Sequence, residues 1–410
     1  MKNLYFCGMK KPLQLFYTFF KIGAFTLGGG YAMLSMVEKA VVDQKKWIPN
    51  DEFWDMIAVV QSLPGVFAVN TALYVGHRVA GTKGAFAAML GAIIPSITII
   101  LLLATVFREY RDQPVVERIF KGIRPCVVAL ILAPSLRMIK SAKVTWKTAI
   151  IPIATVFLIW WCKISPAYVI LAAIAGSLIY ALIINRRKTA RLRDCETRDA
   201  GFNPPSPLSR GSSPASNSPE VPKSKREGGR AMIYLQLLWV FIKIGVLGFG
   251  GGYAMLSLIQ HEVVEHYAWM TTTDFADMVA ISQMTPGPIS INLATYVGYT
   301  TAGFGGSLLA SFALCLPSII MVYMILKLFM SKRSNALMDN TLKGLKPAIA
   351  GLIFAAGLSM MNLQNFPDFG RGQYNISVII CVLAFVASYF FKANPILLIV
   401  LSGVVGFFAY

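Results

Sequence analysis

Residues Lys21–Ser96 return, shifted by 222 positions, as Lys243–Ser318, with 32 of 76 positions identical and no gap. The register continues from "FKGIRP", Phe120–Pro125, to "LKGLKP", Leu342–Pro347. A duplication of this length fixes the architecture as two copies of one unit. Its most conspicuous stretch is "TLGGGYAMLSM", Thr26–Met36, which comes back as "GFGGGYAMLSL", Gly248–Leu258. Each glycine of such a triplet costs a helix about 1 kcal/mol relative to Ala, so the chain carries the same weak point twice.

The unit is apolar. The chain of 410 residues is 56% hydrophobic and 14% charged, with a mean hydropathy of +0.61, which excludes a soluble surface. "KGAFAAMLGAIIPSITIILLLATVF", Lys83–Phe107, exceeds the roughly 20 apolar residues a helix needs to cross a bilayer. Lys2, Lys10 and Lys11 precede the first apolar run without a small-residue cleavage site, and read as the approach to a span rather than a removed signal. The net charge of +19 does not indicate nucleic acid, because the basic residues sit mostly in loops between apolar runs. Six scattered cysteines and three histidines offer no disulfide framework and no metal site, and no cofactor is expected. There is no Walker loop, Ser-His-Asp set or nucleotide fingerprint, so the chain does not read as an enzyme.

The expected fold is an all-α polytopic membrane protein. It has about ten transmembrane helices in two homologous halves, arranged as an inverted repeat with broken or re-entrant helices. The halves are 1–185 and 232–410; between them, 186–231 is basic and rich in Pro and Ser, and reads as a disordered cytoplasmic tether. Each half holds a long first span (13–37; 235–259), a broken segment (52–80; 274–302), a second long span (83–107; 306–328) and three shorter ones. Five spans per half invert the second copy. In agreement, the Leu34–Glu52 loop holds Lys39, Lys45 and Lys46, whereas its counterpart Leu256–Asp274 has no Lys or Arg. The lysines near the amino terminus, and a loop that is basic in both halves, argue the other way. Six spans per half, giving a parallel repeat, is the competing arrangement.

Lipid offers no partner to a backbone amide, so a broken helix must face protein or a water-filled site. The breaks here are the triplets Gly28, Gly29, Gly30 and Gly250, Gly251, Gly252, and the turns around Pro64–Gly65 and Pro286–Gly287. A helix restarting after a break presents free N–H groups and the positive end of its dipole, which suits an anion. Lys21 and Lys243 lie in apolar runs about two turns before the glycines, and Gln61, Gln283, Asn70 and Asn292 recur beside the prolines. Together these are the candidate binding residues for a small inorganic anion. Bland readings stand beside them: glycines for close helix packing, Lys21 reaching for the headgroups. Asp55 and Asp277 could relay protons, but an interfacial carboxylate in solvent is the simpler reading.

The motifs "KIGAFTLGGGYAM", "QSLPG", "GTKG" and "IPS", repeated with "QMTPGP" and "LPS", resemble the chromate transporter family. The resemblance covers Lys21–Met138 and Lys243–Met360. It implies a secondary transporter in the bacterial cytoplasmic (inner) membrane that exports chromate, a sulfate-like dianion, with a proton gradient as the drive. The family contains single short units acting in pairs and fused chains with opposed halves; this chain is similar to the fused kind. The alternative is an anion channel, or a transporter of another anion with the same fold. The chain departs from the family pattern at Gly30 and Gly252, where a proline is usual, and at Val66, where the second half keeps Pro288. The expected partners are the anion and the lipid bilayer, with room for a homodimer.

Overall fold

A computed structural model describes residues 10–26, 30–110, 113–141, 149–162, 164–177, 229–249, 252–329, 336–361, 365–366, 376–391 and 393–410. The described secondary structure is entirely helical. The first half contributes α1 (Lys11–Phe25), α2 (Gly30–Glu38, continued by a π-helical turn Lys39–Gln44), α3 (Asn50–Ser62), α4 (Phe67–Tyr110) and α5 (Pro114–Ser141). Two short helices follow, α6 (Ile150–Trp160) and α7 (Pro166–Ser177). The second half repeats the order: α8 (Gly229–Leu247), α9 (Gly252–Gln260, with a π-helical turn His261–His266), α10 (Thr272–Met284) and α11 (Ile289–Phe329). It ends with α12 (Ala336–Ser359), α13 (Ile376–Phe390) and α14 (Pro395–Ala409). The π turns fall at the same repeat position, as do the two non-glycine residues with positive φ, Lys46 and Ala268.

Neither α4 nor α11 is one rod. Gly81 (φ 63°) and Gly303 (φ 68°) each break the helix. We label the limbs α4a (67–79), α4b (82–110), α11a (289–301) and α11b (304–329). The Thr295 and Ser311 hydroxyls are 2.8 Å apart, whereas sixteen residues of straight helix would separate them by about 24 Å. The limbs therefore run antiparallel, and glycine makes their close approach possible: a Cβ on Gly76 would strike the Gly84 backbone, and one on Gly298 the Gly306 backbone.

The same reasoning shows that the chain reverses at the other breaks. Arg78, at the end of α4a, pairs with Glu52 at the start of α3, so α3 and α4a form a hairpin with Pro64–Gly65 at its tip. Lys243 Nζ lies 2.6 Å from Glu262 Oε1, a contact that a helix running straight on through the triplet could not make. In the first half Thr26 Oγ1 reaches Met36 Sδ at 3.2 Å. The expected first span of each half is thus two helices, α1 and α2 or α8 and α9, that do not continue as one rod. Gly28, Gly29, Gly250 and Gly251 lie outside the described residues, as does all of the expected tether up to 228.

The inverted arrangement follows from two contacts between the halves. At its start α4a meets Ser318 through Val66, and near its end the His77 ring lies 6.0 Å from that of Tyr323. Thus α4a and α11b run the same way; since α4a opposes α4b, the equivalent helices α4b and α11b point in opposite senses. The halves are also interwoven. The first half's α5 packs on α13 and α14 of the second, and the second half's α12 packs on α6 of the first. Small residues permit close crossings both between the halves, where Gly122 meets Gly406, and within them, where Gly23 meets Ala92 and Gly245 meets Leu314.

Phe86, Leu90 and Ile94 form an exposed stripe on α4b, while Ala85, Ala88, Met89, Ala92 and Ile93 face inward. An apolar outer face on helices of this length belongs in lipid. Three helices, Phe67–Tyr110, Pro114–Lys140 and Ile289–Lys327, are long and apolar enough to cross a membrane. The chain is a multi-pass membrane protein.

Candidate functional site

The four tips converge at mid-depth, since Ser96 lies at the middle of α4b and Ser318 near the middle of α11b. There the hairpin tips of one half bond to those of the other. The Gly65 N–H donates to the Gly248 carbonyl, and the Gly287 N–H donates to the Thr26 carbonyl, each at 3.0 Å. These two bonds are images of each other under the 222-residue shift. Gly65 (φ 99°) and Gly287 (φ 101°) take a backbone conformation that glycine tolerates best. A Cβ on either would also collide with the opposite half, Gly65 with Ser318 and Gly287 with Ser96.

One expectation is corrected here. The amides of Gly65, Val66 and Gly287 are not free for an anion, because Val66 N–H also has a partner, Ser318 Oγ at 3.0 Å. Asn70 and Asn292 are partly spent as well. Asn70 Nδ2 donates to the Pro64 carbonyl at 3.0 Å, and Asn292 Nδ2 donates to Thr285 Oγ1 at 2.9 Å. They staple the proline turns, where the break leaves backbone carbonyls without their helical donors.

The departure at Val66 now has a chemical consequence. Val66 has an N–H, and Ser318 accepts it. Pro288 has none, so the equivalent Ser96 donates its hydroxyl to Asn292 Oδ1 instead. Asn70 Oδ1 is left buried without a partner.

A different group of polar atoms is available. Around the second half's proline turn, Gln283 Nε2 and Oε1, Ser282 Oγ and Ser290 Oγ are all buried with no hydrogen-bond partner among the described residues. Burying such a group unpaired costs on the order of 1–3 kcal/mol, so several flanking one turn point to a missing ligand or water. The first half has Val60 and Ala68 at the positions of Ser282 and Ser290. Ser282 and Ser290 escaped the repeat-based reading for that reason: it favours positions that match. The side chain of Gln61 lies outside the described residues, as does that of Asp55.

The lysines differ too. Lys243 is half-buried against Glu262, whereas Lys21 is exposed. Asp277 is no solvent-facing carboxylate: it is 2% exposed and held by Arg124 through two bonds, Nε to Oδ1 at 2.7 Å and Nη2 to Oδ2 at 2.9 Å. Arg124, on α5, was not singled out from sequence; the signal lay in "FKGIRP", where an arginine follows an apolar residue inside a repeated motif.

The fold and site define a membrane protein with inverted, interlocked halves and a central polar junction of broken helices, the architecture of a transporter. The Chromate transporter family profile matches residues 13–178 and 235–407, and the chain belongs to this family. It is 29% identical to an uncharacterised transporter of Methanocaldococcus jannaschii over 96% of this chain and 94% of that one. It is 27% identical to the chromate transport protein of Pseudomonas aeruginosa over 97% of this chain and 92% of that one. The uncharacterised transporter YwrA of Bacillus subtilis is 29% identical and matches 43% of this chain with 96% of its own length. No solved structure matches the chain at a significant level.

Proposed function

We propose that the chain is a secondary transporter that exports a small tetrahedral oxyanion, chromate or a sulfate-like relative, across the cytoplasmic membrane. The observation that carries this reading is the set of unpartnered buried donors at Gln283, Ser282 and Ser290 beside the tip of a broken helix. The start of α11 adds amides and a dipole favourable to negative charge. Lys243 supplies a cation about two turns before the glycine triplet of the same half, and Asn70 adds a polar group at the first half's proline turn. The name of the Pseudomonas aeruginosa relative gives the anion its first candidate. The chemistry of the site asks only for a compact anion that accepts several hydrogen bonds.

The test is oxyanion flux in proteoliposomes. Gln283→Ala should lower it about tenfold, the effect of losing roughly 1.4 kcal/mol of binding, while the thermal stability of the protein is kept or raised. Unchanged flux in Gln283→Ala and in Ser282→Ala would place the anion elsewhere.

A further inference from the structure

The Lys243–Glu262 pair is incomplete. Glu262 is 3% exposed as a residue, and its Oε1 receives Lys243 Nζ at 2.6 Å, but its Oε2 has no donor among the described residues. Gln260, 3% exposed, also has its Oε1 buried without a donor. Two acceptors thus lie buried within three residues. The pair sits where α9 passes into its π-helical turn, a distortion common at functional positions. It also has no counterpart in the first half, where Ala40 stands at the position of Glu262 and Glu38 at that of Gln260.

We propose that Glu262 is a proton site whose charge decides whether the Lys243 ammonium is held by the carboxylate or released to the anion. This rests on the transport reading above. With Glu262 ionised, Lys243 is neutralised and its attraction for a dianion is cancelled. A dianion near Lys243 also repels the Glu262 carboxylate, which favours its protonation. By linkage, the proton in turn strengthens the hold on the anion. Other charged or titratable groups surround the pair. On the same turn His261 and Glu265 pair at 2.8 Å, and His266 stacks edge-on to Tyr267. Tyr267, on the turn that follows, has its hydroxyl pKa raised by burial and then by the Glu262 charge. None of these is bonded to Glu262 Oε2.

The experiment is calorimetric titration of the full-length protein in detergent with sulfate, in buffers of differing ionisation enthalpy. Wild type should take up about one proton per anion, and Glu262→Gln should still bind sulfate but take up none. Glu262→Asp should restore the uptake. Undiminished uptake by Glu262→Gln, or binding by wild type without a proton, overturns the inference while leaving the transport reading intact. A wild type that binds neither sulfate nor chromate overturns the transport reading, and this inference with it.

Discussion

Glycine at 65 and 287 is needed twice over, for a positive φ and for lack of a side chain against the serine of the other half. Gly65→Ala should therefore cost at least about 2 kcal/mol, read as a drop of several degrees in the unfolding midpoint of the purified protein. Removing the obstructing hydroxyl with Ser318→Gly should return only part of the loss, because the backbone strain stays and Val66 N–H loses its acceptor. Full recovery would mean that the collision alone matters. The repeated Pro-Gly pairs were legible as breaks, since a missing donor and a freed backbone are local properties. Their use was not. The partner of the Gly65 amide is a carbonyl 183 positions away, and a free N–H donates to that carbonyl as readily as it would to an anion.

Among the elements, α5 and α10 show most clearly what the halves do to each other. Arg124 and Asp277 meet across the boundary between the halves with both charges nearly enclosed. Cutting one leaves the other buried and uncompensated, so Asp277→Ala should destabilise by about 3–5 kcal/mol, whereas replacing both with leucine should cost far less. Denaturation of the single and double variants separates the two; equal losses would argue against the pair as an interacting unit. An aspartate at the start of a broken apolar segment looks interfacial from sequence. It is enclosed only because a helix from the other copy covers it. The helix breaks at Gly81 and Gly303 were legible as tight turns from Gly81-x-x-Gly84 and its repeat. The reversal at the triplets was not, because three glycines permit a straight path, a kink or a hairpin alike.

For the molecule, the opposed directions of α4b and α11b predict that the turns holding Lys46 and Ala268 face opposite sides of the membrane. Single cysteines at these two positions, in an otherwise cysteine-free protein, should react with an impermeant thiol reagent from opposite sides of sealed vesicles. Reaction from one side would require parallel halves. The interweaving of α5 with α13 and α14, and of α12 with α6, makes each half incomplete alone. Relatives of half the length also exist: YwrA matches 43% of this chain with 96% of its own.

Transfer from water to lipid and the backbone chemistry of glycine and proline act locally. They were enough to establish a membrane protein, its doubling, and the places where its helices fail. Contact between segments far apart in the chain decided everything about how those failures are used. A helix end carries unpaired amides whatever surrounds it, and only the neighbour that arrives determines whether they bind a carbonyl, a hydroxyl or a solute. Here the opposite half takes the amides of Gly65 and Gly287, and the polar atoms left over include those of Gln283, Ser282 and Ser290.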